Sequence, residues 1–165
     1  MSSVQTRHSH YHHSTIPEEI VSAGFPDIEK VILMGGGVLE LNGLRQATDI
    51  DLVTTPANTE GLIASDPLHW QRIVRQYRAI SDGHPFQRTS ITDIDGRFDI
   101  WNQWYDARRP LGDRQLYPLR DLREMSVQHA MGFYVIRLDE MIAMKQGAAR
   151  EKDLRDVALY DRWRR

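Results

Sequence analysis

A run of three glycines at residues 35–37 stands between an apolar segment and two closely spaced aspartates, and this order constrains the fold more than any other stretch of the sequence. The apolar segment, Val-Ile-Leu-Met at residues 31–34, predicts a buried strand. Glycines directly after a strand let the chain turn sharply into a helix. Asp49 and Asp51 are two positions apart, so on a strand their side chains point to the same face. The segment therefore predicts a strand, a helix and a second strand that carries paired carboxylates.

The paired aspartates favour a metal site over a structural role. Asp49 and Asp51 open the apolar strand Leu-Val, where two like charges are costly unless a cation compensates them. Neighbouring carboxylates suit Mg²⁺, which is commonly bound through one or two carboxylates together with substrate phosphates. Gly35 and Gly36 could bring bare backbone N–H groups against those phosphates at the start of the helix. The stretch predicts half of a metal and nucleotide site.

The sequence contains Asp-Ile-Asp twice, so the motif alone does not identify a site. Its second copy, at residues 93–95, leads into Asp95 and Gly96, a pair typical of hairpin turns because both central positions require φ above zero. Aspartate is favoured in such turns without any ligand. We therefore interpret the second copy as part of a hairpin between strands at residues 86–94 and 97–102, and the first copy as the metal site.

A third carboxylate is expected from a neighbouring strand, since two-metal sites hold their ions roughly 3.5 to 4 Å apart. Asp99 is the candidate, because on a strand it points away from the apolar face of Phe98 and Ile100. The structural alternative is a salt bridge between Asp99 and an arginine of the hairpin, such as Arg97 or Arg88.

The remaining patterns predict mostly helices. They indicate helices at residues 36–44 and 67–79, a strand at 49–55, a short helix that ends near Gly24, a loop at 108–112, one or two helical turns at 119–125, a strand at 133–136, and two helices or one bent helix over 138–164 with a break at Gly147. The residues of the C-terminal helices expected to face inward are Leu138, Met141, Ile142, Leu154, Val157 and Ala158.

The composition indicates one globular domain over residues 16–165. The chain has 165 residues, of which 41% are apolar and 27% charged, close to average globular usage. Residues 1–15 are polar and hold four of the seven histidines, which predicts a flexible tail whose imidazoles could bind a transition metal without fixed geometry. With zero cysteines there is neither a disulfide framework nor thiolate chemistry. No apolar run approaches roughly 18 residues, so we expect no membrane partner and a cytoplasmic location.

The charge balance does not indicate general nucleic-acid binding, because 21 basic residues face 23 acidic ones. Basic side chains nevertheless recur over residues 108–123 and at the C-terminal end, 162–165. A solvated surface is the favoured interpretation of these stretches. A cationic surface for a polyanionic substrate is the alternative.

Taken together, these motifs resemble the DNA polymerase beta-type nucleotidyltransferase superfamily, in particular its small bacterial stand-alone and toxin-like, abortive-infection-type branches. The resemblance spans roughly residues 31–159. It rests on Gly35, Gly36, Gly43, Arg45, Thr48, Asp49, Asp51 and Asp99, and on the late segment Lys-Gln-Gly-Ala-Ala-Arg-Glu-Lys-Asp-Leu-Arg-Asp at residues 145–156. Thr48 directly precedes Asp49, whereas many relatives have an additional residue there, so the connection is shorter than the family pattern.

The resemblance implies an α+β fold, the minimal nucleotidyltransferase fold, with a small mixed or antiparallel sheet flanked by helices and followed by C-terminal helices. It also implies transfer of a nucleoside monophosphate from an NTP to an acceptor, with Mg²⁺ or Mn²⁺ held by Asp49, Asp51 and Asp99. Acceptors in such families are tRNA ends, protein hydroxyls or small molecules, and a toxin role would imply an antitoxin partner.

The late segment and Arg45 receive roles by the same resemblance. Arg45 and Lys145 are expected to contact phosphate, and Lys145 lies at the end of an apolar helical run from which a long cationic side chain can reach out. Arg150, Asp153 and Asp156 are expected to bind substrate or to serve the structure. The structural alternative for the segment is a set of i,i+3 and i,i+4 ion pairs on an exposed helix.

Two other functions compete with nucleotidyl transfer. A glycosyltransferase also uses Asp-x-Asp with a divalent ion, but its nucleotide-sugar domain usually needs more chain ahead of the motif than the 48 residues present here. The second alternative is a catalytically silent nucleotide-binding or interaction module with the same fold. The presence of all three candidate carboxylates argues against that second alternative.

Overall fold

A computed structural model describes residues 13–78, 85–105 and 116–165 of the chain, which form an α+β fold. The helices in these ranges are α1 (Ile16–Ser22), α2 (Gly35–Leu41), α3 (Pro56–Ser65), α4 (Leu119–Glu124), α5 (Leu138–Ala148) and α6 (Glu151–Trp163). The strands are β1 (Ile32–Leu33), β2 (Ile50–Val53), β3 (Trp70–Arg78), β4 (Pro85–Asp93), β5 (Phe98–Trp101), β6 (Trp104–Tyr105), β7 (Leu116–Tyr117), β8 (Ser126–Gln128) and β9 (Tyr134–Ile136).

Seven of these strands form one mixed sheet in the order β3-β4-β5-β2-β1-β9-β8. The pairs β2 with β5 and β1 with β9 are parallel, and the other neighbours are antiparallel. Strands β6 and β7 pair separately. The α+β class with a mixed sheet flanked by helices is thereby confirmed.

Residue alternation in β2 and β5 separates the core from a polar face. Ile50, Leu52 and Ile100 are at most 1% exposed and belong to the hydrophobic core. Asp51 and Asp99 alternate with them, so their side chains point to the opposite face of the sheet. The same alternation that buries the core thus places two carboxylates together on the other side.

Several local predictions are confirmed. The hairpin between β4 and β5 turns at Gly96, which has φ +69°. The short helices α1 and α4, the strand β9 and the division of the C-terminal region into two helices also match.

The helix predicted at residues 67–79 is wrong. The helix lies earlier, in α3, where the Thr55 side chain accepts a hydrogen bond from the Asn58 backbone N–H. Residues 70–78 form β3, paired with β4 along its full length. Branched and aromatic side chains such as Trp70 and Ile73 fit a pleated surface, and pairing with β4 outweighs their approximate helical spacing.

Two predictions for the C-terminal helices are also wrong. The break falls at Ala149, whose φ of +52° is left-handed, rather than at Gly147. Leu154 is 51% exposed and Ala158 is also exposed, whereas Asp153 and Asp156 are buried. The inward face of α6 is therefore acidic at its start, because these aspartates form ion pairs with neighbouring cations.

Some predictions concern residues outside the described ranges. These are most of the tail at residues 1–15, the loop at 108–112, and the basic residues Arg108, Arg109 and Arg114. Within the described ranges, no helix combines the length and the apolar character needed to cross a bilayer.

Candidate active site

The parallel pairing of β2 and β5 brings two of the predicted ligands side by side. Asp51 and Asp99 are directly opposite in the register. Neighbouring strands lie about 4.8 Å apart, so the two side chains leave adjacent backbone positions on the same face. Asp49 lies just before β2 and is half-buried. Two segments that are 48 residues apart along the chain thus form one acidic surface.

Gly35 is required at the first position of α2 by the carboxylate of Asp51. A Cβ atom at Gly35 would lie 2.0 Å from Asp51 Oδ2, a distance that no real structure accommodates. Its φ of +59° also lies in the left-handed region that favours glycine. The Gly35 N–H donates to Met141 Sδ at 3.1 Å, a weak acceptor. The predicted glycine turn therefore serves first to let the chain pass against Asp51.

The environment of Asp51 disfavours its ionised form. Burial, followed by the negative charges of Asp49 and Asp99, raises the pKa of Asp51 from an ordinary value of 3.8 to about 6. The positive charges of Lys152 and Lys145 oppose that rise. A carboxyl group so placed gains most from a nearby cation.

Asp99 is held by Arg75 through one of its two oxygens. Asp99 Oδ2 accepts a hydrogen bond from Arg75 Nη1 of β3, and the side chain of Asp99 is only 9% exposed. Asp99 Oδ1 and Ser90 Oγ are buried and make no hydrogen bond of ordinary geometry. Burial raises the pKa of Asp99, and the adjacent Ser90 hydroxyl and the Arg75 guanidinium reduce that rise.

The arginines predicted as alternative partners of Asp99 make other contacts. Arg97 Nε donates to Glu19 Oε2 at 2.8 Å. The Arg88 guanidinium lies 4.1 Å from the centre of the Trp101 ring. Asp99 does form a salt bridge, but its partner is Arg75. Arg75 was not predicted as a partner because residues 67–79 were predicted to form a helix, not a strand of the same sheet. The branched and aromatic residues of that segment favour a strand, and predicting a strand there would have made Arg75 a candidate partner of Asp99.

The second Asp-Ile-Asp copy has the structural role expected of it. Asp93 Oδ1 accepts a hydrogen bond from the Phe98 backbone N–H at 2.7 Å, and the Asp93 carbonyl accepts one from Gly96. Asp95 is exposed in the turn. These contacts close the hairpin without a ligand.

The late segment forms a buried ion-pair network between α5, α6 and the connection that precedes β2. Lys145 Nζ lies 3.3 Å from Asp153 Oδ1 and 2.8 Å from Asp156 Oδ2. Asp156 also accepts two hydrogen bonds from Arg45, at 2.6 and 2.8 Å. Arg150 contacts Asp153 in the same two-pronged manner. We refer to Arg45, Lys145, Arg150, Asp153 and Asp156 as the charged network.

The charged network lies next to the carboxylates as well as within the helices. Lys145 lowers the pKa of Asp51 through its charge, and a Cβ on Gly36 would lie 3.3 Å from the Arg45 guanidinium. For Asp156, burial is outweighed by Arg45 and Lys145, so its pKa falls to about 2. The two predicted phosphate contacts, Arg45 and Lys145, are thus brought together, but each already binds an aspartate.

The donor chemistry of the carboxylates fits a hard divalent cation, because all three supply oxygen and Asp99 Oδ1 is buried without a hydrogen bond of ordinary geometry. In the three described ranges, however, no group of three or more histidine, aspartate or glutamate side chains is arranged as a ready metal site. A separate open groove of about 780 Å³ lies beyond the end of α2, lined by residues that include Glu40, Arg45, His129 and Trp163.

No family model, curated protein or solved structure matches this chain significantly. The fold and the contacts described above are therefore the basis for any functional conclusion.

Proposed function

We propose that the protein is a Mg²⁺-dependent nucleotidyltransferase of the polymerase beta type, which moves an NMP group from an NTP to an acceptor hydroxyl and releases pyrophosphate. The observation that carries the proposal is the register of Asp51 opposite Asp99, beside a glycine that leaves room for the Asp51 carboxylate. Asp99 is buried and Asp51 is half-buried on the same sheet face, with a third carboxylate two residues before Asp51. A divalent cation would compensate this concentration of like charges, which a single salt bridge from Arg75 does not balance.

In this proposal each residue has a distinct task. Asp49 and Asp51 hold the metal, for which Mn²⁺ can substitute, and Asp99 completes the set. Asp99 also accepts the proton of the acceptor hydroxyl, a task suited to its raised pKa and to the oxygen Oδ1 that Arg75 does not engage. When bound, the metal supplies charge neutralisation and in-line orientation, which dominate phosphoryl-type transfer.

The nucleotide phosphates are assigned to the side of the carboxylates at which α2 begins. Gly35 and Gly36 present backbone there, while Lys145 and Arg45 supply positive charge at the edge of the charged network. Asp153 and Asp156 hold those two cations in place, and Arg150 pairs with Asp153. Nothing in the described contacts favours one acceptor, so tRNA, a protein hydroxyl and a small molecule all belong to the proposal, as does a toxin paired with an antitoxin.

The test is label transfer. Purified protein is incubated with each α-labelled NTP and Mg²⁺ or Mn²⁺, with total tRNA, lysate protein or a small-molecule extract as acceptor. We expect transfer in one arm, and a loss of at least about 100-fold in Asp51→Asn, because the metal would lose a ligand.

Asp95→Asn is the matched control. It makes the same change at the last aspartate of the second Asp-Ile-Asp copy, which lies in an exposed turn. It should retain wild-type transfer. If wild-type protein labels no acceptor and shows no Mg²⁺-dependent NTP binding by calorimetry, the transferase proposal is wrong.

One observation favours the silent nucleotide-binding or interaction module as a second candidate. Both expected phosphate contacts, Lys145 and Arg45, are engaged by the buried aspartates of α6. Calorimetric binding of NTP without any transfer, unchanged in Asp99→Asn, would select this module.

A further inference from the structure

The strand β3 contributes a guanidinium to the carboxylate face although it lies two strands away from Asp99. The sheet order places β4 between β3 and β5, so Arg75 reaches across a whole strand to contact Asp99 Oδ2. No other arginine or lysine of the described ranges forms a salt bridge with Asp99.

The pair is unequal in its exposure. The Arg75 side chain is 39% exposed, while that of Asp99 is 9% exposed. The guanidinium therefore keeps much of its hydration and holds a carboxylate that has lost nearly all of its own. Because the planar guanidinium donates from Nη1 to Oδ2, its fixed geometry orients the carboxylate as well as neutralising it.

The orientation leaves one oxygen of Asp99 outside the contact with Arg75. Arg75 engages Oδ2, whereas Oδ1 is buried and makes no hydrogen bond of ordinary geometry; the Ser90 hydroxyl is close enough to this carboxylate to lower its pKa. Asp51, directly opposite in the register, is the other carboxylate at this point of the sheet. An outer residue that holds a carboxylate through one oxygen can orient its other oxygen toward a metal.

We propose that Arg75 is a positioning residue for Asp99, which fixes Oδ2 so that Oδ1 is presented to a divalent cation shared with Asp51. The inference rests on the proposed function, because it takes the cation from that proposal. It assigns Arg75 no contact with substrate or metal. The competing interpretation is that Arg75 only compensates the charge of a buried carboxylate and affects stability alone.

The test measures Mn²⁺ binding to the full-length, nucleotide-free protein by calorimetry, with thermal unfolding of the metal-free protein alongside. Arg75→Gln should weaken Mn²⁺ binding about tenfold or more, the usual effect of losing an outer-shell partner. Arg75→Lys, which keeps the positive charge but not the planar guanidinium, should recover only part of that affinity.

Arg72→Gln is the matched control. Arg72 is on the same strand, and its guanidinium contacts Glu60, so its loss removes a β3 arginine salt bridge away from Asp99. We expect wild-type Mn²⁺ affinity for this variant.

The outcomes separate the two proposals. Mn²⁺ affinity unchanged or higher in Arg75→Gln, with wild-type binding lost in Asp51→Asn, would overturn the positioning role and leave the metal site intact. A wild-type protein that binds no Mn²⁺, or whose binding is unaffected by Asp51→Asn and Asp99→Asn, would overturn both. If Arg75→Gln lowers the unfolding temperature but binds Mn²⁺ as the control does, Arg75 serves stability alone and the inference fails.

Discussion

At the scale of single residues, Gly35 has the least freedom to change. Two independent constraints act on it, a left-handed φ of +59° and the Asp51 carboxylate in the space of a side chain. Gly43 has a similar φ of +72° but has no atom within 4 Å of an added Cβ. The two glycines thus separate backbone strain from close packing.

Gly35→Ala should therefore lower the free energy of unfolding by about 2–4 kcal/mol, the sum of left-handed strain and overpacking. Gly43→Ala should cost only about 1 kcal/mol from strain. Urea denaturation of both variants measures the difference. Equal losses in the two would show that the Asp51 carboxylate moves aside without cost.

Asp51 and Asp156 predict opposite pH dependences of stability. The folded pKa of Asp51 is raised, so its stabilising effect is complete below about pH 4 and is lost as pH rises to about 6. The folded pKa of Asp156 is depressed, so its contribution is present above about pH 4 and is lost as pH falls toward 2.

Denaturation of the metal-free protein from pH 2 to 8 tests both signs. Asp51→Asn should be more stable than wild type at pH 7, by up to about 3 kcal/mol, and should lack the decline between pH 4 and 6. Asp156→Asn should instead lack the decline below pH 4. A wild-type profile that rises between pH 4 and 6 and is unchanged by Asp51→Asn would contradict the raised pKa.

At the scale of elements, α6 is attached to the fold largely by charge. Its buried positions at the start of the helix are Asp153 and Asp156, while Leu154 is exposed. Asp156 connects α6 both to Lys145 of α5 and to Arg45 before β2. Ion pairs therefore connect helix α6 to Lys145 and Arg45, the two residues proposed to contact the nucleotide phosphates.

Asp156→Ala should destabilise the protein by about 3 kcal/mol, because two cations lose a buried partner. Asp161→Ala, on the same helix, removes an exposed pair with Arg164 and should cost less than about 1 kcal/mol. Thermal unfolding compares them. A loss of similar size in the two variants would mean that the charged network is no stronger than a surface pair.

The elements also show what the sequence could predict. The Asp95 and Gly96 turn, the glycine turn and the paired aspartates depend on local chemistry, and the sequence was sufficient for them. The strand β3 depends on pairing with β4, a contact with a distant segment that outweighs the approximate helical spacing of residues 67–79. Because a helix was predicted there, Arg75 was not predicted as a partner of Asp99. The inward face of α6 was misjudged because burial was assigned to apolar residues, whereas the neighbours Lys145 and Arg45 require acids.

At the scale of the whole molecule, the candidate site is assembled from distant parts of the chain. Asp51 meets Asp99 only when β2 pairs with β5, and Arg75 meets Asp99 only when the β3–β4 ribbon is in place. Arg45 and Asp156 are 111 residues apart. The nucleotidyltransferase fold itself remains a proposal, and its catalytic test is the label transfer described above.

The register of Asp51 with Asp99 has a consequence for how the chain acquires its site. A contact between residues 48 apart in sequence carries a loop-closure entropy cost that pairing of β2 with β5 must offset. A fragment that ends before residue 98 lacks the strand that brings the second carboxylate, whatever secondary structure it keeps. The acidic pair is thus a property of the completed sheet, and a partly synthesised or cleaved chain has no means of concentrating that charge.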